Sequence, residues 1–408
     1  MKPKALAILM LTALVASACS SAASTTGPKV AKIGVELPLS GAELPNGDPT
    51  LKGVQLAIEQ NPVAGYDVQT SVKDDALNGK HDPQTGATNI GQLVSDSSVF
   101  AVVGPFNSNV AQAEIPVSNS AGLIQCSPAN TNPSLTKGDT AKALRKDNPD
   151  KISYVRVATT DDIQGQAGAD IAYTVAKAKS AYVVDDTETY GKGIADAFAA
   201  EWTKLGGQVV GREGAPKGTT DYTAILTKFK DAAPDAVFYG GVTATGGGLV
   251  RKQMPQVGLD KIAYLGGDGI QDGPGSVEGS FINIAGAAAA NSFSSVAAIA
   301  EYPGKADFDA KYKAAYNEEA GAYSASGYAC AQILLQAIKT AASKGDVTRE
   351  SVRAAGVDTN TTFETVLGPV KFDAVGDTNQ KIISLYKTDL TAASGKGDWV
   401  FDSQVDYK

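Results

Sequence analysis

The sequence predicts an α/β protein built as two Rossmann-like lobes, each with a parallel sheet, joined by a multi-segment hinge. Three observations carry this. Short strand-like runs alternate with helix-spaced segments along most of the chain, and the series starts again near residue 153. In addition, 43 glycines among 408 residues fit many tight strand-to-helix turns. Strands alternating with helices at this cadence make βαβ units and parallel sheets.

The first series has strands at 32–37, 66–73, 99–103 and 123–125, with helices at 49–60, from 82 onward and at 109–120. The second has strands at 153–157, 180–184, 208–211, 236–239 and 262–265, with helices at 163–177, 193–205, 222–232 and 249–257. The cadence then breaks. Two helices follow one another, 306–319 and 323–343, and strand-like runs at 370–372 and 381–387 close the chain, a tail expected to complete both lobes. The expected division is 30–158 plus 300–376 for one lobe and 159–299 plus 377–408 for the other. Ligands of open parallel sheets sit outside the carboxyl ends of the strands, here in the cleft between the lobes.

Residues 1–18 read as an export signal: Lys2 and Lys4, an apolar or small run at 5–15, then Ala16-Ser17-Ala18 before Cys19. Eleven positions are too few to span a bilayer, which takes about 20. Ala-Ser-Ala is also an ordinary cleavage site that would release a soluble protein. A cysteine directly after small residues favours lipidation of Cys19, although lipoboxes usually carry Leu where Ala16 stands. Residues 19–29, small and polar, then form a flexible tether. The net charge of −8 becomes −10 once Lys2 and Lys4 leave, and no basic cluster remains, which argues against nucleic acid or anionic lipid as partner. Cys126 and Cys330 form an even pair beyond Cys19. Sequence is evenly divided between a bridge that ties a late helix to an early strand and two buried free thiols.

Catalytic machinery is not visible. The one histidine, His81, lies in Gly79-Lys80-His81-Asp82-Pro83 and is expected to be a solvated loop residue. There is no GxSxG elbow, metal-ligand spacing or phosphate-binding glycine loop. Asp161-Asp162 and the other adjacent acid pairs are weak as acid/base dyads, because neighbouring side chains in extended chain point apart. Binding has better candidates. Ser108 is placed to cap the helix after Gly104-Pro105-Phe106-Asn107, and helix N-termini attract carboxylates. The loop 127–133, holding Ala129 and Thr131, is rich in donors at the next strand end. In the second half, Tyr190 and Asp268 follow strand ends, and Asp268 could meet an ammonium group. Donors on one side and a carboxylate on the other suit a zwitterion, since an unpaired buried charge is costly.

The ordered set Ile33-Gly34-Val35, Leu39-Ser40-Gly41, Val102-Val103-Gly104-Pro105-Phe106, Ser127 through Thr136, Asp162-Ile163-Gln164-Gly165, Tyr190-Gly191-Lys192-Gly193 and Tyr239-Gly240-Gly241 resembles the branched-chain amino acid (leucine/isoleucine/valine) ABC-importer binding proteins. The resemblance runs from about residue 32 to the end and implies the type I periplasmic binding protein fold. It implies an extracytoplasmic protein, expected to act as a monomer without cofactor or metal, that captures an amino-acid-like solute for a membrane permease. It places the ligand carboxylate at Ser108, Ala129 and Thr131, the ammonium at Asp268 (usually Glu in the family), and Tyr190 on the second lobe. Asn46 and Val242 stand where aromatics are frequent beside the ligand side chain, which leaves amides, short peptides or other small carboxylates as alternatives to leucine. A ligand-sensing receptor of the same fold is the rival role.

Overall fold

The computed structural model describes residues 27–345 and 347–407; the leader and Cys19 lie outside them. Five parallel strands make the first sheet, in the order Tyr66–Asp74, Lys29–Leu37, Val99–Val103, Ile124–Ser127, Tyr154–Arg156. Both faces of its central strands are buried: Ile33, Val35, Ala101 and Val103 make an apolar face, while Glu36 and Gln125 are buried polar residues of the same strands. The long helix Ser324–Ser343 packs on this sheet beside Leu44–Gln60, and both contribute to one core with Phe308, Phe363 and Phe372.

The second sheet has seven strands, in the order Asp398–Asp406, Ile382–Asp389, Ser292–Val296, Ala263–Gly266, Ala236–Gly240, Ser180–Asp185, Gln208–Gly214. Five are parallel, and the last two of the chain pair antiparallel at one edge. Two members, Ser292–Val296 and Asp398–Asp406, are not expected from sequence. The first is serine-rich, and the second carries three aspartates with only a weak alternation. The run expected at 370–372 instead ends a small hairpin, Phe363–Thr365 with Gly368–Val370, outside both main sheets.

Chain crossings follow Arg156, follow Val296 and precede Ile382. They are laced together. Ala300 N donates to Ser384 Oγ (2.9 Å), and Ser384 Oγ donates to Ala298 O (2.8 Å). Cys126 of the first sheet and Cys330 of the long helix form a disulfide, Cα to Cα 5.5 Å, across 204 positions of sequence. Among the described residues no helix is long and apolar enough to cross a membrane, and no cluster of acidic, histidine or cysteine side chains could hold a metal.

Candidate ligand site between the lobes

The first-lobe wall begins where Val99–Val103 ends. Gly104 has φ of +129°, and a Cβ there would lie 2.1 Å from Glu36 O, so only glycine allows this close turn. The helix Ser108–Ala121 follows, capped in backbone terms by Asn107, so Ser108 is its first residue and not the cap expected from sequence. Ser108 is buried, at the N-terminal end where helical N–H groups lack intrahelical partners. The next loop is locked from behind. Ser127 Oγ donates to Pro105 O (2.7 Å) and accepts from Asn130 N (2.9 Å); Asn130 Nδ2 donates to Phe106 O (2.6 Å). Fully buried Arg156 donates to Asn132 O (2.8 Å), Thr136 Oγ1 (2.7 Å) and the Asp377 carboxylate (2.8 Å). These bonds fix Ala129 and Thr131 on the inner face, where both are nearly inaccessible.

The second-lobe wall centres on Asp268, 6% exposed, in a short turn after Ala263–Gly266. Its Oδ1 accepts from Gln164 Nε2 (2.6 Å) and the Tyr190 hydroxyl (2.8 Å), and its Oδ2 accepts from the Tyr323 hydroxyl. Burial pushes the Asp268 carboxyl above its usual range, against the lowering effect of these three donors. Tyr190 starts the helix Thr189–Lys204 and also accepts from Gly269 N (3.2 Å). Gly191 lets that helix close on the sheet, since a Cβ there would lie 2.1 Å from Asp186 Oδ1 and 2.5 Å from Gly240 O.

Tyr323 brings the two walls together. Its ring meets Phe106 edge-on at 5.0 Å and packs with Ala129, while its hydroxyl reaches Asp268. Asp161 lies at the same junction. Its backbone N donates to Thr131 O (2.9 Å), and its carboxylate is buried beside Thr131. Burial first, and then the charge of Asp268, drive its pKa well above the carboxylate range. Ala129, Thr131, Tyr190 and Asp268 are thus linked at one junction through Tyr323 and Asp161, and Ser108 is the buried first residue of the helix that follows Phe106 and Asn107.

Val242 is nearby, since a Cβ on Gly269 would lie 2.9 Å from its Cγ1. Asn46 lines a groove of about 840 Å³ with Asp48, Gln271, Tyr302 and Trp399. Sequence does not mark Gln164, Tyr323 or Asp161 as site residues: Gln164 falls within Asp162-Ile163-Gln164-Gly165, and Asp161 only within an adjacent acid pair.

His81 is the clearest correction. It is 2% exposed rather than solvated, with Nδ1 2.5 Å from Glu43 Oε1 and Nε2 2.6 Å from Glu188 Oε2. The loop folds into the junction between the lobes and not out into solvent.

A family model described as periplasmic binding protein matches residues 30–395. The Leu/Ile/Val-binding protein BraC3 of Rhizobium johnstonii is 30% identical over 363 residues, 87% of this chain and 90% of that one. The leucine-binding protein LivK of Thermotoga maritima superposes with a TM-score of 0.78 at 27% identity, covering 92% of this chain and 99% of that one. LivJ of Streptococcus pneumoniae, solved with isoleucine, superposes at 0.73 and 26% identity, covering 92% and 100%. The two sheets, the crossings between them and the extent of these matches place the chain in the periplasmic binding protein family, with the type I fold.

Proposed function

We propose that this chain captures an amino acid, or a closely related small zwitterion, between its lobes outside the cell membrane and delivers it to the permease of an ABC importer. It acts by binding and not by turnover. The observation that carries this reading is the buried acid pair Asp161 and Asp268, with Asp161 N donating to Thr131 O (2.9 Å) of the donor-rich loop. Two buried carboxylates favour a bound cation, and a helix N-terminus such as that at Ser108 favours an anion. A free ammonium and carboxylate on one small molecule satisfy both. The names of the relatives, leucine and Leu/Ile/Val binders among them, agree with that chemistry.

In this reading the solute docks on Ser108, Ala129 and Thr131, and closure brings Tyr190 and Asp268 over it, a two-state equilibrium shifted by contacts made only when shut. Cys19 carries the lipid that tethers the protein to the membrane. A thermal-shift panel of amino acids, amides, short peptides and small carboxylates tests the reading. A true solute at 100 times its Kd adds about 2.7 kcal/mol of stability. Shifts are expected from zwitterions; a panel in which only anions or uncharged molecules shift the protein would overturn the assignment.

A further inference from the structure

The lobes also meet at a site that the ligand cage does not need. Glu43, His81 and Asn107 come from the first lobe. Asn107 Nδ2 donates to Glu43 Oε2 (2.9 Å), and His81 N donates to Glu43 Oε1 (3.0 Å). Glu188 and Lys217 come from the second. His81 Nε2 lies 2.6 Å from Glu188 Oε2, and Lys217 Nζ donates to His81 O (2.5 Å) while lying 3.5 Å from Glu188 Oε1. With both ring nitrogens facing carboxylates, only the imidazolium can donate to both. Glu43, Glu188, His81 and Lys217 then carry no net charge together, which suits a buried cluster.

Two polar contacts lie beside it. Asn132 Nδ2 donates to Thr189 O (2.7 Å), and Thr189 Oγ1 donates to Gln112 Oε1 (2.8 Å). The His81–Glu188, Lys217–His81, Asn132–Thr189 and Thr189–Gln112 contacts cross between the lobes and are lost if they part. The cluster is also adjacent in sequence to the cage on both sides: Asn107 precedes Ser108, and Glu188 lies two residues before Tyr190.

We infer that His81, Glu43, Glu188 and Lys217 form a closure latch, so that the single histidine sets how long a captured solute is held without touching it. The latch residues are positioning residues. Parting the lobes exposes and separates Glu188 and Lys217 from His81, while Glu43 stays with His81 in the first lobe. The latch therefore weights the closed state, and a solute that binds the closed state best gains apparent affinity from it.

The charge on His81 is secure at neutral pH. Burial opposes it, but Glu43 and Glu188 outweigh burial and hold the pKa at about 10. Other ionisable groups facing the cluster are Asp75, Asp186, Asp272, which burial raises to about 7 and which faces Glu43, and, beside Lys217, Asp82. Burial raises Asp75 well above its usual range and Asp186 to about 6, while hydrogen bonds to Thr85 outweigh a slight burial and lower Asp82. A group raised in the closed state contributes below its ordinary pKa and loses that contribution as pH climbs through about 10. The latch thus weights the closed state most at and below the ordinary histidine pKa and loses that weight progressively up to about pH 10.

This inference rests on the solute-capture reading, and its test separates the two. Hydrogen exchange is followed by mass spectrometry on the full chain, without added solute, for the wild type, Glu188→Gln and His81→Gln. Peptides covering 79–83 and 186–192 are expected to exchange faster in both variants, while core peptides such as 198–204 keep their rates. L-leucine binding by the same proteins is expected to show koff raised about tenfold with kon unchanged, the pattern for truncating one partner of a partly buried charge pair. The wild type should also lose affinity as pH rises toward 10 by more than His81→Gln does. Unchanged exchange at both peptides overturns the latch. So does equal koff, or an identical pH profile. A wild type that binds no zwitterion ends the solute reading instead, and the exchange difference then decides the latch alone.

Discussion

Replacing Asp268 by Asn probes the cage where its chemistry is sharpest. The side chain keeps its size, so the walls stay in place, but the charge that would face a ligand ammonium is gone. Removing one partner of a buried, hydrogen-bonded charge pair costs about 2–5 kcal/mol. The lower part of that range applies, because Gln164, Tyr190 and Tyr323 already donate to both carboxylate oxygens and share its charge. A loss of about 2–3 kcal/mol is about 30- to 150-fold in Kd. The amide also presents an NH2 toward one of the three donors, so the unliganded variant should lose about 1–3 kcal/mol of stability.

Titration calorimetry at neutral pH, using the tightest zwitterion of the panel, measures the first effect and thermal unfolding the second. Tyr323→Phe is the control. It removes a donor without removing charge, so its Kd should change far less than that of Asp268→Asn. An unchanged Kd in Asp268→Asn would refute the ammonium assignment. An equal loss in both variants would show that packing, not charge, sets the affinity.

Two further outcomes concern the scaffold. Converting Cys126 and Cys330 to alanine should cost about 2–5 kcal/mol in guanidinium unfolding, toward the upper end, because the bridge closes a loop spanning 204 positions; unchanged midpoints would mean the bridge does not constrain the unfolded chain. Glu114 is fully buried, and burial, helped by the charge of Asp75, raises its pKa to about 8. The unfolded chain releases that proton near pH 4.3 while the folded one holds it, so stability should fall as pH rises from about 4.5 to 8 and then level off. Glu114→Gln, which can still accept from Gln125 Nε2, should flatten part of that slope; an unaltered pH profile would rule the group out as its source.

Much of the fold is legible because it is local. Alternation of apolar strands such as Val99–Val103 with capped helices announces βαβ units before any tertiary contact forms. The strand Ser292–Val296 is not legible, because its serines are buried only by neighbours distant in sequence: Ser295 Oγ donates to Gln164 O, and Ser294 Oγ donates to Gly267 O. Asp398–Asp406 is hidden for a related reason. Its exposed aspartates read as loop, and pairing with Ile382–Asp389 alone makes it a strand.

The candidate site divides the same way. Ser108, Ala129, Thr131, Tyr190 and Asp268 stand at strand ends followed by glycine, proline or helix starts, a position that the sequence marks directly. Asp161 and Tyr323 also stand at helix starts, and Gln164 lies in the first turn after Asp161, but all three join the junction only when the chain crosses between the sheets, which nothing local shows. The binding class and the two-lobed α/β fold are therefore determined by the sequence itself, through periodicity, turn residues and the ordered motifs. That Asp161 is buried near Asp268, and that His81 lies between Glu43 and Glu188, were decided by tertiary structure. His81 shows why: in a loop of Gly, Lys, Asp and Pro nothing local predicts burial, and only closure sets its imidazole between Glu43 and Glu188, where leaving either carboxylate unpaired would be costly.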